Sequence, residues 1–106
     1  MLKTDSFPDP TNFNEDFNSL SPQLVDFLRA QDVVMIGIDT PSIDPFTDKS
    51  LESHQAVAKH DMAVLEGLAL AHVDPGIYTL IALPLRLLGA DASPVRAALL
   101  QDIEPD

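Results

Sequence analysis

Two segments of this chain, Val33-Val34-Met35-Ile36-Gly37-Ile38 and Tyr78-Thr79-Leu80-Ile81-Ala82-Leu83, are apolar with almost no interruption. The first is dominated by β-branched residues. Both read as strands buried on two faces rather than as strands with one face in water. Such strands need cover on both sides, and the rest of the sequence provides little. One clear amphipathic helix and one shorter one cannot shield a multistranded sheet. The patterning therefore implies either extensive oligomerisation or membership of a larger protein, and a mixed α/β fold in both cases.

The helix signals are specific. Ser21-Pro22 combines a hydroxyl cap with proline at the first helical position. Leu24, Val25, Phe27 and Leu28 then share one stripe, which predicts a helix over about 22–31. A second helix is predicted over 51–59. Asp39 to Ser50 is a loop, because Pro41 and Pro45 disallow regular structure. Met62 to Leu70 is apolar except for Glu66 and reads as strand-like. Asp74-Pro75-Gly76 is a turn. The Tyr78–Leu83 strand ends at Pro84, and residues 95–100 form a short terminal strand or helix. Residues 1–20 form an extended arm or long loop pinned by Phe7, Phe13 and Phe17, with the sheet and helices in 21–106.

Charge and composition narrow the function. With 6 Lys and Arg against 17 Asp and Glu in 106 residues, the formal net charge is −11. Phosphate binding draws its affinity from basic residues, so a nucleic-acid-binding module is disfavoured, as is docking on an anionic membrane. A 45% hydrophobic content is too high for a wholly disordered acidic chain. No cysteine is present, which removes disulfides and thiol catalysis and leaves His, Asp and Glu as metal ligands. The first six residues lack the apolar run of a signal peptide, and no stretch approaches the ~18 apolar residues of a membrane span. A soluble cytoplasmic protein is the default expectation.

Four residues stand out as candidates for chemistry: His54, His60, His72 and Glu66. His54 and His60 also read as parts of a solvated helix face, and His72 as part of a surface turn. Glu66 interrupts Met62-Ala63-Val64-Leu65-Glu66-Gly67-Leu68, where a carboxylate is costly to bury unless a cation or donors compensate it. His54 and Glu66 are twelve residues apart, about 120° out of phase on one continuous helix. They can meet only if the helix ends between them and the chain turns back as a strand. Asp39 and Asp44 lie in a loop that follows a strand, where α/β proteins tend to place ligands. Asp44 reads better as a carboxylate that caps backbone, and Asp39 reads equally well either way. There is no glycine-rich phosphate loop, no G-x-S-x-G elbow and no P-loop lysine.

These residues carry a resemblance. The run Gly37-Ile38-Asp39-Thr40-Pro41-Ser42-Ile43-Asp44-Pro45, then Lys49-Ser50-Leu51 with His54, and then Val64-Leu65-Glu66-Gly67 resemble bacterial kynurenine formamidases. Ala82-Leu83-Pro84-Leu85, Gly89-Ala90-Asp91-Ala92-Ser93-Pro94-Val95-Arg96-Ala97, Phe7-Pro8-Asp9-Pro10 and Phe17-Asn18-Ser19-Leu20-Ser21-Pro22 fit the same family. The similarity spans roughly residues 4–100 in consistent order.

The resemblance implies a metal-dependent cyclase fold, here a partial swivelling β/β/α domain. It implies hydrolysis of N-formyl-L-kynurenine to L-kynurenine and formate, with zinc, binuclear in the complete enzyme, activating water. It also implies that His54 and Glu66 are metal ligands and that the complete enzyme is a homodimer; from its position after the strand alone, Asp39 is expected to be a supporting or substrate-side group. A departure accompanies the match. The family's His-x3-His-x-Asp cluster and its proton-transfer histidine have no counterpart here, and His60 and His72 match no catalytic position. Residues 1–106 therefore correspond to a C-terminal half of the family's domain, expected to be inactive alone. An isatin hydrolase-like enzyme acting on another aryl amide, and a non-enzymatic remnant or subunit, are the other readings.

Overall fold

A computed structural model describes residues 1–101. It divides into two compact units, Met1–His72 and Val73–Asp106.

The first unit is built around a short parallel pair, β1 (Met35–Gly37) and β2 (Ala63–Leu65), in the register Met35↔Ala63, Ile36↔Val64 and Gly37↔Leu65. Parallel strands need a crossover, and here it is the loop 38–51 followed by helix α2 (Glu52–Lys59). Helix α1 (Pro22–Ala30) precedes β1. It starts as the sequence predicts: Ser21 Oγ accepts the Leu24 N–H at 3.1 Å, with Pro22 in the first turn. The core consists of Leu20, Val25, Ile36, Ile38, Ile43, Ala56, Val57 and Met62, with Leu2, Leu28, Val33 and Val64 packed on it.

The amino-terminal arm is held rather than free. The Leu2 N–H donates to the Gly37 carbonyl at 2.8 Å, and Leu2 bridges Ile38 in parallel, so the arm lies alongside the end of β1. Gly37 lets this happen, since a Cβ there would come within 2.9 Å of Leu68 and 3.0 Å of Met1. Further along, the rings of Phe7, Phe13 and Phe17 pack edge to face, and Phe46 joins them through Phe13.

Both strands of the first unit are shorter than their apolar runs. In the first, Ile36, Gly37 and Ile38 are buried while Val34 and Met35 are exposed, so the run is covered only toward its C-terminal end. In the second, regular pairing stops at Leu65 because Gly67 takes a positive φ of 68°. Backbone contact nevertheless continues through Gly67 N–H to Thr40 O at 2.8 Å and Leu68 N–H to Ile38 O at 3.1 Å.

The second unit is an antiparallel hairpin of β3 (Tyr78–Pro84) and β4 (Val95–Gln101), which pairs Leu80 with Leu99 and Ala82 with Ala97. The terminal segment is thus a strand, resolving the open choice between strand and helix. No described residue of this unit is fully buried; Leu83 is 75% and Leu88 is 89% exposed. A lone two-stranded hairpin is marginal in water, and these apolar side chains have the pattern of a core without its cover.

Candidate functional site

The site forms where α2 begins. Its cap position is occupied by Leu51, in the left-handed region at φ 53°, with no side chain able to accept a backbone N–H. The orphan donors of the first turn go to two carboxylates from the preceding loop. Asp48 accepts the Glu52 N–H at 3.0 Å, and Asp44 accepts those of Ser53 at 2.7 Å and His54 at 2.9 Å. Two negative groups thus sit against the positive end of the helix dipole.

Asp44 does more than cap. Its Oδ2 lies 2.7 Å from His54 Nδ1, and the residue is only 1% exposed. Burial works against its charge, but the donors from His54 and Ser53 outweigh that and hold the carboxyl below its ordinary value of 3.8. Ser53, also buried, donates its hydroxyl to the Leu20 carbonyl at 3.0 Å and so ties the start of α2 to the segment before α1.

Glu66 arrives from the other direction, just beyond β2. Its Oε2 accepts the Ile43 N–H at 2.8 Å and stands 3.2 Å from His54 Nε2. The structure therefore meets the condition set by the twelve-residue spacing: α2 ends at Lys59, the chain returns as β2, and the two side chains come together. The cost argument for Glu66 is not borne out, because its side chain is 27% exposed and the carboxylate is never stripped of water. Met62 and Leu65 are buried and Val64 is half-buried, whereas Glu66 and Gly67, beyond the end of the strand, are exposed.

The other candidates lie elsewhere. Asp39 spends its carboxylate on the arm, accepting the Thr4 N–H at 3.0 Å, the Thr4 hydroxyl at 2.7 Å and the Asp5 N–H at 2.9 Å. Burial opposes its charge, yet these donors keep its carboxyl below the ordinary value. His60 pairs with Asp26 at 2.7 Å and so links α2 to α1. His72 is exposed in the turn at 71–72.

Sequence reasoning missed the part played by Asp44 toward His54, and the Ile43 N–H altogether. One signal was present: a helix whose cap position is leucine has to find its acceptor elsewhere in the chain.

What the pair can do follows from its donors. With an ionised carboxylate at Nδ1, the proton of the ring lies there and Nε2 offers a lone pair. Two donor atoms bound at ~2.0–2.1 Å to one tetrahedral ion stand about 3.3 Å apart, close to the 3.2 Å between Nε2 and Oε2. The pair therefore fits as two ligands of one divalent metal ion. Among the described residues no group of three or more His, Asp or Glu is arranged to hold an ion. Asp44 supplies no third ligand, since its oxygens are already taken by backbone and ring donors.

Known proteins resemble the chain in sequence and in fold. No family model matches the chain. The kynurenine formamidase of Bordetella pertussis is 58% identical over 85 residues, 80% of this chain and 41% of that protein. The kynurenine formamidase of Bordetella avium is 54% identical over 87 residues, 82% of this chain and 42% of that protein. Two solved structures share the fold. A potential metal-dependent hydrolase with cyclase activity aligns at a TM-score of 0.76 and 31% identity, over 88% of this chain and 45% of its own. A predicted metal-dependent hydrolase from Bacillus stearothermophilus aligns at 0.80 and 26% identity, over 90% and 45%. The chain thus spans less than half the length of these relatives, and over that span it is similar to the kynurenine formamidases.

Proposed function

We propose that this chain provides two metal-binding side chains, His54 and Glu66, to an enzyme that hydrolyses N-formyl-L-kynurenine to L-kynurenine and formate. The observation that carries the reading is the 3.2 Å approach of His54 Nε2 to Glu66 Oε2. The high identity to kynurenine formamidases supports the substrate. The metal is zinc, binuclear in the complete enzyme. When bound, such an ion polarises the formamide carbonyl and lowers the pKa of water.

The chain's own residues then have defined tasks. His54 offers a neutral imidazole nitrogen, and Glu66 offers carboxylate oxygen. Asp44 holds the ring in place, and the Ile43 N–H restrains Glu66. Asp39 acts at one remove, by anchoring the arm along β1. The chain corresponds to the C-terminal half of the domain, and the remaining ligands and the proton-transfer group come from the other half. Two ligands hold zinc less securely than the usual three or four, so the 106-residue chain alone is not a catalyst. The complete enzyme is cytoplasmic and homodimeric, with the apolar hairpin covered in the assembled fold; light scattering of that enzyme tests the dimer.

A segment exchange tests the activity. The matching 41% of the Bordetella pertussis enzyme is replaced by this sequence, and hydrolysis of N-formyl-L-kynurenine is followed with added zinc. An active chimera that His54→Ala inactivates is the expected result. Turnover by the isolated chain at a comparable rate, or full activity in the folded His54→Ala chimera, would overturn the reading.

A further inference from the structure

We propose that Ile43 and Asp44 act as one clamp, in which Asp44 holds His54 as its Nδ1–H tautomer and thereby aims the Nε2 lone pair at a cation shared with Glu66. The consequence for metal rests on the function proposed above; the tautomer does not.

Ile43 is 0% and Asp44 1% exposed, so this dipeptide is set in the core and cannot shift without disturbing it. Consecutive groups of the dipeptide reach the two ends of the pair. The Ile43 N–H donates to Glu66 Oε2 at 2.8 Å, and the Asp44 carboxylate meets His54 Nδ1 at 2.7 Å. A carboxylate only accepts, and of the two that face the ring Asp44 is the closer and the more buried, so in the neutral ring Nδ1 carries the proton. The Asp44 carboxylate is itself fixed, because it also accepts the backbone N–H groups of Ser53 and His54.

In the neutral ring this leaves Nε2 as an acceptor, 3.2 Å from Glu66 Oε2, which is another acceptor. Two acceptors at that distance repel unless a cation lies against both. A free imidazole would resolve the conflict by moving its proton to Nε2 and donating to Glu66. Asp44 opposes that move, since a bare Nδ1 would then face its negative charge. Asp44 is therefore a positioning residue: it keeps the pair from closing on itself and keeps it open to metal.

The test reads the tautomer directly. Ring nitrogen-15 chemical shifts of His54 are recorded on the metal-free 106-residue chain at a pH where the ring is neutral. The wild type is expected to show Nδ1–H. Asp44→Ala is expected to switch to Nε2–H and to lose at least about tenfold in zinc affinity, measured by chelator competition. Asp48→Ala serves as the control. It also removes capping carboxylate from α2, at Glu52, but should leave both the tautomer and zinc affinity unchanged. Nε2–H in the wild type overturns the clamp even if no variant folds, and so does an equal switch in Asp48→Ala. Nδ1–H without zinc binding at Nε2 would leave the clamp standing and count against the proposed function instead.

Discussion

Asp44 and His54, ten residues apart, share two contacts: the carboxylate accepts the backbone N–H of His54 at 2.9 Å and meets its ring nitrogen at 2.7 Å. The residue that starts the helix therefore also orients the side chain the helix presents. Helix position and ring position cannot vary independently, and this coupling is the basis of the first prediction.

Asp44→Ala should destabilise the first unit by about 3 kcal/mol, because it leaves the N–H groups of Ser53 and His54 and the His54 ring without their acceptor. Ser53→Ala removes the hydroxyl that donates to the Leu20 carbonyl and leaves the Asp44 caps in place, so it should cost about 1 kcal/mol. Denaturant unfolding followed by circular dichroism measures both, and equal losses would contradict the ranking.

Glu66→Gln in the segment-exchanged enzyme should lower bound zinc, with affinity falling more than about tenfold. An amide can still accept the Ile43 N–H, so the fold is expected to persist. Metal analysis of the purified variant decides the matter; unchanged zinc stoichiometry would remove Glu66 from the ligands.

The arm should release in acid. The Asp39 carboxyl lies below its ordinary 3.8 when folded, so the unfolded chain binds the proton more readily. Its stabilisation is present above that value and is lost as pH falls through the lower folded value. Thr4→Ala, which removes the 2.7 Å hydroxyl bond, should cost about 1 kcal/mol at neutral pH and flatten this acid dependence. A pH series of melting curves on both proteins provides the check.

Hydrogen exchange should separate the two units. Amides of α1, α2, β1 and β2 surround the core cluster and are expected to be protected. Amides of β3 and β4, in a hairpin with no fully buried residue, should exchange faster. Uniform protection from Leu2 to Gln101 would show that the hairpin is stabilised within the chain itself.

Much of the local structure was legible from residue order. Ser21-Pro22 announced α1, the prolines at 41 and 45 announced the loop, and the helix at 52–59 lacked only its first predicted residue. Strand lengths were not legible, because apolar character measures a tendency to be buried and not the extent of pairing. Val34 is apolar and exposed, while Gly67 ends β2 through its backbone angle. Glu66 was noticed for a desolvation cost that its surface position does not impose.

By itself the sequence determined which residues could matter, and in His54 and Glu66 it marked the two that meet. Its apolar strands without cover also led to the expectation of a partner or a longer protein, and among the described residues the hairpin has none that is fully buried. Tertiary structure alone decided how the pair is held. Asp44 reached α2 from ten residues away because an apolar residue stands at the helix cap, and orphan N–H groups near the core require an acceptor. The Ile43 N–H reached Glu66 because parallel pairing of β1 and β2 returns the chain to the same edge. Contacts between groups far apart in sequence have no periodicity to betray them; they exist only once the backbone has closed.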